Sequence, residues 1–450
     1  MVATAKPADA DVIYHAFDTP FQVVQSNLSR IKEFGYTYVQ ISPPQKSHSG
    51  DQWFFRYQPL DFTKLEGPLG NENDIKALIA AAHSQNIKLI VDVVLNHMAD
   101  EGNLTSTLNY PRFSSNDFHI PSSCINYGNR SSVITGWLGD RCDLPDLKTE
   151  TSYVRQEAKN YLKKLVDLGF DGFRFDAAKH IEPGFFSDVR SVIPAGKFVY
   201  GENIPENARN SAEFAEYTNP GNFSIEDFFL TRSMVDTFGF NGDLRTLADV
   251  NLVGKGRALP GVVAVTFARN HDTAKNTVKG YGFGDRRDML LANAFILARS
   301  EGFPLIYGGD FRRPEPGEPD DSSLSDAEDP LVVAGVRFHE KMMGKPQFFI
   351  NGTQIAPGAD NANTLFIRRG AEGLAIINKA NAFFDVAAAK MPGMGIGCYR
   401  ELNHNFDVSI NTGSDGNNYT TRWGTSARGG IQIGPRDALF LVRASSTPCP

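Results

Sequence analysis

Apolar positions along this chain switch between two periods. Short, nearly continuous apolar runs recur at Val12–Phe17, Thr37–Ile41, Lys88–Leu95, Phe170–Phe175, Phe198–Tyr200, Ile225–Leu230, Val262–Phe267 and Pro304–Tyr307. Such runs predict strands buried on both faces, as in a parallel sheet. Between most of them the apolar residues repeat at helical spacing. Helices are predicted at Phe21–Phe34, Asn73–Gln85 and Arg286–Ala298, and in the stretch where Val154, Ala158, Tyr161, Leu162 and Leu165 alternate with Arg155, Lys159 and Lys164. Repeated β-α units in this number read as a closed (β/α)8 TIM barrel. After the third strand the rhythm stops at Asn96-His97, and a segment rich in Asn, Ser, Gly and Pro follows. That segment reads as a small inserted domain. From about Asn351 the pattern becomes short strands with Gly/Asn turns, Gly413-Ser-Asp-Gly416 among them, which predicts a C-terminal antiparallel β-sandwich. The predicted division is 1–97 and 151–350 for the barrel, 98–150 for the insertion and 351–450 for the C-terminal domain.

Candidate chemistry gathers where the predicted strands end. In Gly169-Phe-Asp-Gly-Phe-Arg-Phe-Asp-Ala-Ala-Lys-His180, Gly169 stops a helix and a strand follows. Side chains two apart on a strand share a face, so Arg174 and Asp176 point one way and Phe173 and Phe175 the other. A permanent cation beside Asp176 is expected to hold that carboxylate ionised, with a low pKa. The plainer alternative, an ion pair on a solvated edge strand, fits poorly with two flanking Phe residues. The other strand ends supply Asn96 and His97, Lys179 and His180, Glu202 and Asn203, and Asn270-His271-Asp272. Any one of these could cap a helix. Three carboxylates and three histidines converging on the C-terminal mouth of a barrel point instead to catalysis. Glu202 follows apolar Val199 and Tyr200 and has no cation near it in sequence, so its pKa is expected to be raised. A carboxylate nucleophile with a carboxylic acid donor is the pairing that glycoside hydrolysis uses. No Gly-rich phosphate loop, zinc spacing or Gly-x-Ser-x-Gly elbow competes.

Composition narrows the field only a little. The 450 residues carry a net charge of −7 and are 22% charged, which gives no reason to expect nucleic acid or an anionic membrane as partner. No apolar run approaches the ~18 residues of a membrane span. The start, Met1 to Ala10, has no apolar h-region and is read as replacing a removed leader, so a secreted or periplasmic protein is expected. The cysteines form two sequence-local pairs, Cys124 with Cys142 and Cys398 with Cys449. Their loop-rich surroundings favour two disulfides; four reduced thiols in a cytosolic protein are the alternative that spacing leaves open.

Asp92-Val-Val-Leu-Asn-His97, Gly172-Phe-Arg-Phe-Asp-Ala-Ala-Lys-His180, Gly201-Glu202 and Asn270-His-Asp272 resemble, in order, the four signature regions of the α-amylase family of glycoside hydrolases. Leu144-Pro-Asp-Leu147 is similar to its fifth region, and Gly35 to Pro44 to the strand-two region of animal-like members. The resemblance spans residues 12 to 310 and weakens beyond. It implies that Asp176 is the nucleophile, Glu202 the general acid/base and Asp272 the transition-state-stabilising carboxylate. It makes Arg174 the partner of the nucleophile, and His97 and His271 hydrogen-bonding partners of the sugar in the cleavage subsite. Trp53 and Tyr57 would form the aromatic floor, Gln58 a neighbouring contact, and Lys179 with His180 the leaving-group side. Asn96, Asp146 and the His180 carbonyl would hold a structural Ca²⁺, an ion that takes oxygen ligands. The substrate implied is an α-glucan, cleaved endo-wise at α-1,4 bonds, by a chain expected to be a monomer.

Two departures stand out. Phe54 replaces a second Trp of the animal-like enzymes. Some members bind chloride through the equivalents of Arg174, Asn270 and a basic residue after strand eight; Gly302-Phe-Pro-Leu-Ile-Tyr-Gly308 offers no such residue, which argues against chloride activation. An α-glucosidase, transglycosylase or maltooligosaccharide-forming relative is the alternative, against which Lys179-His180 and Leu144-Pro-Asp146 stand. A catalytically dead glucan-binding protein is a third reading, opposed by the intact Asp176, Glu202 and Asp272.

Overall fold

A computed structural model describes residues 11–102, 106–207, 210–218, 223–274, 278–308, 325–355, 360–387, 390–423 and 430–450. The N-terminal segment Met1 to Ala10, on which the leader reading rests, lies outside the described residues. Eight parallel strands close into a barrel: β1 (Ile13–Ala16), β2 (Tyr38–Ile41), β3 (Lys88–Val93), β4 (Gly172–Phe175), β5 (Phe198–Gly201), β6 (Ser224–Glu226), β7 (Ala264–Thr266) and β8 (Phe303–Tyr307), with β8 pairing back on β1. Around them run α1 (Phe21–Phe34), α2 (Glu72–Ser84), α3 (Ser152–Leu168), α4 (Phe228–Phe238), α5 (Arg286–Ala298) and α6 (Pro330–Lys341).

The two-residue period of the strands separates two cores. Ile13, Tyr38, Ile90, Tyr200, Val265, Phe303 and Leu305 point into the barrel and fill its lower half. Their chain neighbours Val39, Leu89, Val91, Phe173 and Phe175 point outward against the helices. Both faces of each strand are therefore buried, which is why the runs read as continuously apolar. The helix α3 illustrates the outer layer. The Thr151 hydroxyl accepts the Val154 N–H at its start, and Gly169 ends it at φ 110°. Its buried face carries Val154, Ala158, Tyr161, Leu162 and Leu165, the residues whose spacing predicts the helix. Each of the valine and leucine side chains among them contributes about 1.5–3 kcal/mol. At Gly169 a Cβ would lie 3.2 Å from Ile79 Cγ2 as well as in the left-handed region, so Ala there loses on two counts.

Two predicted strands shift. The run Ile225–Leu230 breaks after Glu226: Asp227 accepts the Leu230 N–H at 2.9 Å and starts α4. Val262 is exposed, and β7 begins at Ala264.

The insertion between β3 and α3 is docked by backbone pairing at its root, where the Met98 N–H donates to Pro145 O at 3.0 Å and Leu147 N–H to Asn96 O at 2.9 Å. Both predicted bridges are present, Cys124–Cys142 with Cα atoms 5.0 Å apart and Cys398–Cys449 at 4.6 Å. After the barrel come β9 (Gln347–Ile350), β10 (Thr364–Arg369), β11 (Gly373–Asn378), β12 (Phe384–Ala387), β13 (Gly397–Glu401), β14 (Asp407–Thr412), β15 (Asn418–Trp423), β16 (Gly430–Ile433) and β17 (Asp437–Ser445). They form an antiparallel sheet in the order β9-β10-β11-β17-β13-β14-β15 and a separate β12-β16 pair. Alternation sorts the sheet: Leu374, Ile376, Leu439 and Leu441 face its own core with Ile433 of β16, while Ala375, Ile377, Ala438 and Phe440 pack toward the barrel helices.

Candidate active site

The strand β4 lies between β3 and β5, not at an edge, and register sets Asp92 of β3 directly beside Arg174. Arg174 is fully buried. Its Nη1 lies 2.9 and 3.0 Å from the two oxygens of Asp92 and donates to Asp176 Oδ1 at 2.8 Å. Its Nη2 is 2.8 Å from Glu202 Oε1, though misaligned for a hydrogen bond. Its Nε donates to Glu226 Oε1 at 3.3 Å. One guanidinium thus faces four carboxylates from four strands. Asp272 joins the cluster through a hydrogen bond to Glu202. The structure therefore brings Asp176, Glu202 and Asp272 together at the ends of β4 and β5 and after β7.

Charge in this cluster runs opposite to one expectation. Asp176 was expected to have a low pKa beside Arg174. Burial instead drives it well above the ordinary carboxylate range, and although Arg174 opposes this, Glu202, Asp92 and Asp272 reinforce it. A single cation cannot hold so many buried acids ionised at once. Burial likewise raises Glu202 to about 8, with Arg174 opposing and Asp272 adding, which agrees with the expected raised value. Glu226 rises to about 7, again chiefly through burial. Arg174 itself stays charged: burial works against it, but Asp92, Glu202, Glu226 and Asp176 outweigh that and hold it well above its usual value.

Aromatic side chains wall the cluster. His271 is sandwiched between Phe17, at 4.7 Å and 18°, and Tyr57, at 5.1 Å and 11°. Trp53 meets His271 edge-on at 5.7 Å. The Tyr57 hydroxyl donates to Asp92 Oδ2 at 3.0 Å, and His97 Nε2 lies 2.9 Å from Tyr57 O. Burial lowers the pKa of His97 to about 4 and that of His271 well below the usual range, so both are neutral. The Nδ1 atom of each is buried without a protein partner among the described residues. Gln58 follows the same turn, half-buried, and Phe54 is exposed. On the far side, Lys179 Nζ reaches Ile204 O at 2.8 Å and Glu206 Oε1 at 2.7 Å and lies 4.8 Å over the Tyr127 ring. The His180 ring, neutral because burial takes its pKa to about 3, bonds Val133 O of the insertion at 2.8 Å.

At the root of the insertion Asn96 Nδ2 donates to Asp146 Oδ1 at 3.0 Å, and His119 Nδ1 lies 2.7 Å from Asp146 Oδ2. Burial raises Asp146 to about 7, with His119 opposing. A buried carboxylate beside a carboxamide suits a hard divalent cation in kind. Among the described residues no group of three or more His, Cys, Asp or Glu forms a metal cage.

Sequence reasoning missed three residues of this centre. Asp92 lies inside a quoted motif, but its partner Arg174 is 82 residues away. His15, from β1, is buried against His271 at 5.5 Å, and nothing local marks it. Glu226 carried one signal, an acid inside an apolar run predicted to be a strand.

Comparison with known proteins agrees with this geometry. The family described as alpha amylase, catalytic domain, matches residues 20–235. The chain is 34% identical over 415 residues to an alpha-amylase of Aeromonas hydrophila, covering 83% of this chain and 85% of that one. It is 29% identical over 395 residues to an alpha-amylase of Clostridium acetobutylicum, covering 83% of this chain but 48% of that longer protein. In fold it is similar to a complex of an alpha-amylase I variant from Eisenia fetida with maltohexaose, at a TM-score of 0.78, 20% identity and 97% coverage of each chain. With a closed barrel, acids gathered at its C-terminal mouth and a relative matched along most of both chains, this chain belongs to the alpha-amylase family of glycoside hydrolases.

Proposed function

We propose that this chain hydrolyses α-1,4-glucosidic bonds of starch and related glucans, endo-wise and with retention of configuration. The observation that carries this reading is the convergence of Asp176, Glu202 and Asp272 on one buried guanidinium, with Glu202 raised to about 8. Asp176 attacks the anomeric carbon and displaces the leaving sugar, whose oxygen takes the proton of Glu202. Water, deprotonated by the same Glu202, then hydrolyses the glycosyl ester. Arg174, at 2.8 Å, favours the charged form of Asp176 against burial. Asp272 holds sugar hydroxyls. The neutral His97 and His271 offer their Nδ1 atoms to hydroxyls of the same ring, over the floor of Trp53 and Tyr57. Gln58 extends that floor, and Lys179 and His180 line the leaving-group side beneath the insertion.

Structural Ca²⁺ is part of the reading. Asn96, Asp146 and the His180 carbonyl would hold it, and it would tie the insertion to the barrel. Supporting a secreted or periplasmic site are the two disulfides; no described helix is long and apolar enough to cross a membrane. The division at 97, 150 and 350 belongs to the same proposal. The test is product analysis on starch and maltoheptaose with the anomeric proton followed by NMR. Early release of α-anomeric oligosaccharides of mixed length is expected. Early β-anomer refutes retention. Glucose alone, or cyclic or lengthened products, establishes the glucosidase or transglycosylase alternative.

A further inference from the structure

The reaction as described uses three carboxylates and leaves Glu226 without a part. This side chain is the last of β6 and only 2% exposed. Its Oε1 accepts Arg174 Nε at 3.3 Å and its Oε2 accepts Asn270 Nδ2 at 2.9 Å. Both oxygens therefore accept hydrogen bonds, the arrangement that suits a carboxylate anion. Asn270 is itself held at both ends of its side chain: its Oδ1 accepts the Thr273 N–H at 3.0 Å and so caps the one-turn helix carrying His271 and Asp272. The two residues that the family resemblance assigns to a free anion thus converge on a carboxylate supplied by this chain.

We propose that Glu226 is a built-in anion that struts Arg174 against Asn270, aiming the guanidinium's terminal nitrogens at Asp92, Asp176 and Glu202 while fixing the turn that presents Asp272. It is a positioning residue, since it acts through Arg174 and Asn270. The proposal rests on the reading of Asp176, Glu202 and Asp272 as the reacting carboxyls. The geometry explains why the strut must be negative on the basic limb, above the value of about 7 to which burial raises Glu226. The Nε edge of Arg174 points away from the reacting acids, and an uncompensated charge there would pull Glu202 toward ionisation. The charged and titratable groups facing Glu226 are Arg174 on β4, Glu202 and Tyr200 on β5 and Asp92 on β3, with the Asn270 amide after β7. Those facing Glu202 are Arg174 and Asp272, with Asp176 across the guanidinium. Glu226 and Glu202 disfavour each other's ionisation, so the strut keeps the acid protonated.

The test compares wild type with Glu226→Gln, Glu226→Asp and Glu226→Ala on maltoheptaose from pH 5 to 9.5, with and without sodium formate. Native folding is checked by near-UV circular dichroism. Glu226→Gln fills the space without the charge. It is expected to lower kcat at least tenfold with little change in KM, and to move the basic limb of kcat/KM down by about one pH unit. Glu226→Asp should retain part of both. Glu226→Ala should lose activity and regain it, with the limb moving back up, as formate enters between Arg174 and Asn270; wild type should not respond. A folded Glu226→Gln with wild-type kcat and basic limb overturns the proposal, as does a folded Glu226→Ala deaf to formate. Should Ala fail to fold, the Gln profile decides. Wild type inactive on glucans condemns the functional reading instead. The strut is then read from the Glu202 carboxyl stretch in infrared spectra, identified as the band lost in Glu202→Gln. Its midpoint falls in Glu226→Gln if the strut holds and stays put if it does not.

Discussion

Glu202→Gln removes the acidic proton and almost no volume, so it isolates what the acid does. Burial raises this carboxyl from an ordinary 4.5 to about 8, against Arg174 and with the help of Asp272. Ionising it therefore costs about 5 kcal/mol more than in water. At pH 7 roughly nine-tenths of the enzyme holds the proton that the leaving oxygen needs. General acid catalysis of this kind supplies about 10²–10⁴-fold in rate, and the whole of that is demanded by a sugar leaving group. The variant should thus lose at least ~10²-fold in kcat/KM on maltoheptaose. On an α-maltoside with an activated aryl leaving group, which departs without a proton, the glycosylation burst should survive within about tenfold. Wild-type kcat/KM on maltoheptaose should fall as pH rises through about 8, because the protonated form is the active one; the burst of the variant should lack that limb. Asp176→Asn should abolish both reactions, since no glycosyl ester can form. Steady-state and burst kinetics on the two substrates read all of this. Equal loss on both substrates in Glu202→Gln, with the leaving-group dependence appearing in Asp272→Asn, would show that the acid sits after β7 and not β5.

Three further outcomes are expected of the same structure. Chelation followed by calcium titration should first lower and then restore the melting temperature, the restored stability being about 2.7 kcal/mol at a hundredfold excess over Kd; a melting curve indifferent to calcium removes Asn96 and Asp146 from the ligand set. Mass spectrometry of native protein should find no free thiol, and reduction should cost about 3 kcal/mol for Cys124–Cys142, with a separation of 18, and about 4 kcal/mol for Cys398–Cys449, with a separation of 51; four reactive thiols would refute this. Stability should decline as pH rises from about 5 to about 8, because Asp176, Glu202 and Glu226 all bind protons more tightly folded than unfolded. Glu202→Gln, which has no charge to bury, should then melt higher than wild type at pH 9 and not at pH 4.5; a variant that is no more stable at pH 9 would mean the acid is solvated.

Much of this molecule was legible because its signals are local. The bounds of α1 and α5 fall where helical spacing put them, and β4 presents Arg174 and Asp176 on one face by strand parity alone. The losses have two causes. In Ile225–Leu230 a three-residue strand runs into a helix through two acids, and apolar continuity hides the junction. Glu226 was lost with it. The charge state of Asp176 failed for a different reason. Arg174 is two residues away in sequence, while burial and the neighbours Glu202, Asp92 and Asp272 arrive only when the barrel closes around β4. A neighbour seen in sequence is one term of a sum whose other terms are tertiary.

That sum also explains why the central cation is an arginine. Burying a guanidinium is costly, and it is tolerated where acids surround it. Here each edge of the plane has its own acid: Nε faces Glu226, Nη1 faces Asp92 and Asp176, and Nη2 faces Glu202. A lysine ammonium is a point charge on a flexible stem and could not hold three directions at once. The rigid fork converts the fixed register of four strands into fixed positions for the acids they carry. The same arrangement leaves more carboxyls than one positive charge can keep ionised, so protons must stay in the cluster. Local contacts bear on where they stay: Asp176 Oδ1 receives an aligned Nη1–H, while Glu202 takes the Ala177 N–H on Oε2 at 3.1 Å, faces a misaligned Nη2 with Oε1 and shares a hydrogen bond with Asp272. Burial raises both Asp176 and Glu202 and Arg174 opposes the rise in each, while the hydrogen bond to Asp272 favours the proton on Glu202.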